Sequence, residues 1–168
     1  MRRMRRLVVL SMSIATLAAC GGDTDQSAGT ATPDQPASPP VTAATLGPQQ
    51  VETAAVLRER PEYVNADREY GDRLASQCRA CHSFQEGGGN LVGPNLYGMF
   101  GSEAGSRSDY AYSPAMRENP FVWTPRALDA WLAEPRTFLP GTTMVFAGIA
   151  READRQALIA SLLWQTAP

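Results

Sequence analysis

Two cysteines and the only histidine of this 168-residue chain fall together as Cys78-Arg79-Ala80-Cys81-His82. Two thiols three residues apart, followed at once by an imidazole, form the attachment pattern of a c-type haem. The thiols add to the porphyrin vinyl groups, and the adjacent imidazole is then placed beneath the ring to bind iron. A structural zinc site would need four protein ligands, and this cluster offers two thiolates and one imidazole. A redox dithiol of the thioredoxin kind would need a βαβ context, and no strand alternation supplies one. The third cysteine, Cys20, stands far away in a different setting.

With His82 committed, a second axial ligand to iron has to be something other than histidine. Beyond the first twenty residues the methionines are Met99, Met116 and Met144. A buried methionine is commonly gap-filling core. Met144 differs because it lies in Phe138-Leu139-Pro140-Gly141-Thr142-Thr143-Met144-Val145-Phe146-Ala147-Gly148-Ile149. Proline and glycine fix such a loop and can carry a thioether to the face of the haem opposite His82. Met144 is therefore the candidate ligand, with Met116 next.

The elements that must position these groups read as short helices joined by long loops. Asn65 or Asp67 can cap a helix that carries Tyr70, Leu74 and Gln77 into Cys78. Thr124-Pro125 starts another, with Leu128, Trp131 and Leu132 on one face and Pro135 at its end. Arg151 to Trp164 gives a last amphipathic helix with Leu158, Ile159, Leu162 and Leu163 inward. Gly93 to Val122 shows little regular pattern, which is long for an unsupported loop. A bound group filling the middle accounts for it. The fold class is all-α.

From Cys78 to about Leu162 the chain resembles a class I cytochrome c of the mitochondrial and bacterial soluble type. The resemblance rests on Cys78-x-x-Cys81-His82, on Gly93-Pro94-Asn95-Leu96, and on Pro140-Gly141-Thr142-x-Met144-x-Phe146-Ala147-Gly148-Ile149. It implies one haem c, bound covalently through Cys78 and Cys81, with short helices and long loops wrapped around it. It implies that the Pro94 carbonyl accepts the other ring hydrogen of His82, fixing the imidazole. It also implies that Tyr112 and Trp123 hydrogen-bond the propionates, that Thr142 lies near the buried propionate, and that Trp131 packs near the methionine.

The chain departs from that pattern in several places. Ser102 stands where the family usually has an arginine near the propionates, and Met116 where it has an asparagine. Where the family crosses its first and last helices through a glycine and a large aromatic, Tyr70 and Ser161 hold the comparable places. A reciprocal size swap is expected, with Trp164 covering the adjacent gap. The family commonly meets acidic partners through lysines around the haem edge. Asp72, Gln77, Leu91, Thr137, Thr143 and Ala150 stand at those sites, and only Arg136 and Arg151 are cationic.

The chain has no lysine at all, and its fifteen basic residues are arginines against seventeen acids. Four arginines (Arg2, Arg3, Arg5, Arg6) precede the apolar run Leu7–Ala19. About 20 apolar residues are needed to span a bilayer, so this run reads as a signal peptide over residues 1–19. Leu17-Ala18-Ala19-Cys20-Gly21 resembles the lipobox of bacterial lipoproteins, in which the cysteine is lipidated. Residues 20–64 then read as a lipidated terminus and a flexible linker rich in Pro, Ala and Thr, with a short helix near Val51 to Arg60. Such a linker spans on the order of 35 Å as a coil. The haem domain is expected over residues 65–168. Without the signal, eleven arginines face seventeen carboxylates, a charge of about −6, which argues against nucleic-acid binding.

These features point to a monomeric one-electron carrier and away from an enzyme. It is expected at the periplasmic face of a bacterial membrane, with the choice between inner and outer membrane left open. The partners expected are a quinol-oxidising complex and a terminal oxidase or reaction centre. Two other readings stay open: an electron-accepting subunit of a periplasmic dehydrogenase, and a haem peroxidase or gas sensor in which Met144 is displaced.

Overall fold

The structure, a computed structural model, describes residues 39–167. The signal expected over 1–19, Cys20 and the first part of the linker lie outside those residues. The longest helices are α3 (Arg68–Cys78) and α7 (Glu152–Gln165), with α1 (Ala54–Arg58), α2 (Pro61–Val64), α4 (Pro114–Glu118), α5 (Pro125–Ala133) and α6 (Pro135–Phe138) around them. Among the described residues the only β pairing is an isolated antiparallel bridge between Glu103 and Val122.

Local chemistry sets most of the helix ends. The Asp67 carboxylate accepts the Tyr70 N–H at 2.9 Å and starts α3, so Asp67 and not Asn65 is the cap. Thr124 caps α5 through the Ala127 N–H with Pro125 in the first turn, as the sequence predicts. Pro135 ends α5 by opening α6, because a residue without an N–H fits a first turn better than an interior one. Pro61 acts in the same way between α1 and α2. The long Gly93–Val122 segment is interrupted by α4, capped by Ser113.

Helices α3 and α7 form the main crossing, and the residue that permits it is Gly71. A Cβ there would stand 2.0 Å from the Ala157 carbonyl oxygen and 2.9 Å from the Ser161 Cβ. The expected size swap between Tyr70 and Ser161 is therefore corrected: a glycine still makes the close approach, one residue later. Tyr70 is half-buried with the Arg73 guanidinium 5.4 Å from its ring centroid. Ser161 is fully buried and donates to Asp72 Oδ1 at 2.6 Å. Trp164 is 39 % exposed and lies against Arg68 and Arg58, at 4.6 and 5.7 Å.

The folded part begins well before residue 65. Leu46, Leu57 and Tyr63, all in the stretch read as linker, are 1, 2 and 8 % exposed. Arg58 donates to the Leu163 and Ala167 carbonyls at the end of α7, and Gln156 donates to the Glu62 carbonyl. Three large apolar side chains of this segment are buried, with Ala43 and Ala54 packed beside them, too few to stand out from its proline- and threonine-rich composition. Its hydrogen bonds to distant backbone supply the rest.

Candidate functional site

The Cys78–His82 turn continues the last turn of α3, with the Cys81 and His82 N–H groups both bonded to the Cys78 carbonyl at 3.0 and 2.9 Å. Cys78 and Cys81 are free thiols and half-buried. Burial pushes the pKa of the Cys78 thiol up from its ordinary value. His82 donates its Nδ1 proton to the Pro94 carbonyl at 2.7 Å, the contact the family resemblance implies. Burial holds the His82 pKa below its ordinary value against the opposing pull of the Pro94 bond. A neutral imidazole with its proton on Nδ1 leaves the Nε2 lone pair free to bind a metal.

Gly93 completes this arrangement. A Cβ at Gly93 would lie 2.3 Å from His82 Cε1 and 2.8 Å from Nε2, so only a glycine lets the backbone pass the ring. Its N–H bonds the Cys81 carbonyl at 2.8 Å. Asn95, 3 % exposed, ties down the glycine-rich loop: it donates to the Gln85 and Gly88 carbonyls and accepts from the Tyr97 N–H. Two free thiols and a ring fixed by one carbonyl and cleared by one glycine fit a covalent haem. Among the described residues no group of three or more His, Cys, Asp or Glu converges, so the zinc reading finds no further ligand.

Met144 is half-buried against the main core, in a loop held at both roots. Its N–H bonds the Thr142 hydroxyl at 3.2 Å, and the Thr142 N–H bonds the Leu139 carbonyl. Gly141 and Gly148 sit at φ 88° and 92°, which side-chain-bearing residues rarely adopt. At the far root Ile149 donates to the Leu132 carbonyl, and Arg155 holds the Ile149 and Ala150 carbonyls at 3.0 and 2.8 Å. Asp129 balances that buried guanidinium at 2.7 Å. Met116 is 8 % exposed inside the core on α4, the environment of a packing residue.

Trp131 is 5 % exposed, and Trp123 meets its ring edge to face at 5.6 Å. Tyr112 packs its half-buried ring against Tyr110 at 4.9 Å, and burial raises its pKa. Cys78, Tyr112, Trp123 and Met144 all border one core cluster. The sequence by itself assigns no role to Arg155, Asn95 or Gln49. Arg155 had a signal, as a lone cation among the apolar positions of the last helix. Gln49, which holds Val122 from 73 residues away, had none.

No family model matches the chain. A cytochrome c of Theileria parva is 47 % identical over 110 residues, 64 % of this chain and 95 % of that protein. A cytochrome c2 of Afifella marina is 44 % identical over 95 residues, covering 55 % of this chain and 77 % of that one. Among solved structures, cytochrome cH from Methylobacterium extorquens superposes with a TM-score of 0.53 at 38 % identity, over 58 % of this chain and 97 % of that one.

Proposed function

The chain belongs to the class I cytochrome c family, and from that premise we propose that it is a membrane-tethered carrier whose single haem is ligated by His82 and Met144. It carries one covalent haem c, joined through Cys78 and Cys81, and is a monohaem electron carrier. When bound, the haem supplies an iron that takes up and releases one electron.

The observation that carries the ligation is the His82 geometry: Nδ1 spent on the Pro94 carbonyl, Gly93 clearing the ring, and Nε2 left as the coordinating nitrogen. Met144 is supported by its loop, which two glycines, the Thr142 hydroxyl and Arg155 hold in one shape. A thioether paired with an imidazole as ligands would favour the reduced state and raise the potential, as suits a carrier. Tyr112, Trp123 and Thr142 supply hydrogen-bond donors for the propionates, and Trp131 backs the methionine side. With His82 and Met144 both holding the iron, no position on it would be left for a substrate.

Cys20, lipidated, anchors the monomer at the periplasmic face of a bacterial membrane, and the segment up to about Thr42 is the tether. Its partners are a quinol-oxidising complex and a terminal oxidase or reaction centre. Tethering raises the local concentration near membrane partners and takes over what a lysine-rich face does by electrostatic steering. The decisive measurement is the visible spectrum of the oxidised holoprotein. A methionine-to-iron charge-transfer band at neutral pH, lost in Met144→Ala and kept in Met116→Leu, is the expected result. A band that survives Met144→Ala overturns the assignment. Labelling with radioactive palmitate, abolished by Cys20→Ala, tests the anchor separately.

A further inference from the structure

The segment Thr42–Gln49 touches two distant stretches of chain, one at Val122–Thr124 and one at Phe138, just before the Met144 loop. Thr42 and Thr45 close a turn on each other through their hydroxyls and N–H groups. The turn presents the Ala43 N–H to the Phe138 carbonyl at 2.9 Å. Leu46, 1 % exposed, buries its side chain in the core. Three residues on, the Gln49 amide takes both backbone groups of Val122. It accepts from the N–H at 2.8 Å, donates to the carbonyl at 2.6 Å, and donates again to the Thr124 hydroxyl at 3.0 Å.

Both attachment points belong to one aromatic cluster. Phe121 and Trp123 flank Val122, and Phe138 is the residue from which the Met144 loop departs. Their rings and that of Trp131 meet edge to face around a closed circuit: Phe121 to Trp123 at 4.7 Å, Trp123 to Trp131 at 5.6 Å, Trp131 to Phe138 at 5.9 Å, and Phe138 to Phe121 at 5.2 Å. Edge-to-face pairs depend on angle as well as distance, so a shift at one corner is felt at the others. Gln49 at one corner and Ala43 at another fix the circuit from outside.

We propose that Thr42–Gln49 is a strap that holds Trp123 and the Met144 loop in place, with Gln49 as its positioning residue. Gln49 acts through Val122, whose two backbone groups it holds. The mechanical part stands on the contacts above; its consequence for the iron rests on the reading of Met144 as ligand. A strap that is released lets the loop open more often, and each opening exposes the position Met144 occupies to a competing ligand.

The test uses the full-chain holoprotein with Gln49→Leu, which keeps the bulk and removes the hydrogen bonds, and Gln49→Glu, which keeps an acceptor for the Val122 N–H. Arg58→Gln is the control, because it loosens the same N-terminal region at its α7 contact. Hydrogen exchange read by mass spectrometry over residues 121–124 and 138–144 is expected to quicken about tenfold in Gln49→Leu. That factor corresponds to about 1.4 kcal/mol, within the range of the bonds lost. Gln49→Glu should quicken less and Arg58→Gln not at all in those segments. Imidazole binding to the oxidised protein should accelerate by a similar factor. Unchanged exchange in Gln49→Leu, or equal acceleration in Arg58→Gln, overturns the strap; if Gln49→Leu fails to fold, Gln49→Glu decides by the same measure. A wild-type protein without the methionine charge-transfer band overturns the ligation instead, and the exchange measurement still decides the strap.

Discussion

At the scale of single residues, the site depends as much on what is missing as on what is present. His82 keeps its orientation because Pro94 offers a carbonyl and Gly93 offers no side chain. Gly93→Ala forces a Cβ into the imidazole, and relief would have to break the ring's bond to Pro94 or the backbone's bond to Cys81. Covalently haem-loaded protein, measured by pyridine haemochrome absorbance, is expected to fall at least about tenfold, as for other overpacked sites. Tyr63 gives a second prediction, away from the site. Burial, aided by Glu62, pushes its pKa up to about 12 from 10.0. The folded state therefore keeps its proton where the unfolded chain loses it. Its stabilising effect is complete below pH 10 and is lost as the pH rises towards 12. Tyr63→Phe should flatten the alkaline limb of the denaturation profile between those values, with no change in that limb counting against the assignment.

At the scale of elements, the two crossings that hold the molecule together are of different kinds. The α3/α7 crossing is steric, set by Gly71 against the Ala157 carbonyl. Gly71→Ala is expected to cost about 3 kcal/mol in denaturant unfolding, the upper range for inserting a methyl where backbone faces backbone. The return of the Met144 loop onto α5 and α7 is polar, built on Arg155 with two carbonyls and Asp129. Arg155→Met leaves those carbonyls and a carboxylate without their cation and should cost about 3 kcal/mol. It should also weaken the methionine charge-transfer band, which Gly71→Ala spares if it folds. The α3 cap, the α5 cap and the apolar face of α7 are all legible in the sequence, because each depends on neighbours within four residues. Residue type alone does not tell Gly71 from Tyr70 at the crossing, because helix registry there is set by backbone approach.

At the scale of the whole molecule, charge decides how partners meet. The described surface carries arginines in ion pairs, such as Arg73 with Glu69 and Arg151 with Asp154, and no lysine anywhere. Arg151, one of two cations left near the expected docking edge, is thus partly neutralised by its neighbour. Leu91 and Val92, just before Gly93, and Val145, just after Met144, are exposed at 56, 77 and 89 %. Electron-transfer rates with a redox partner should depend only weakly on ionic strength, since long-range steering needs a field of one sign. Stopped-flow rates that fall steeply with added salt would refute this.

The Cys78–His82 spacing pointed to the cofactor, the capped amphipathic helices to the all-α class, and the proline–glycine loop to Met144 as the candidate second ligand. Those signals are local: a thiol spacing, a cap, a turn that needs glycine. The tertiary structure decided where the domain begins and what braces it. Leu46, Gln49 and Arg58 lie in a stretch whose composition reads as linker, and their partners Val122, Phe138 and Leu163 are far along the chain. A hydrogen bond from a side-chain amide to a distant backbone leaves no period or motif behind it. Only folding brings its two ends together.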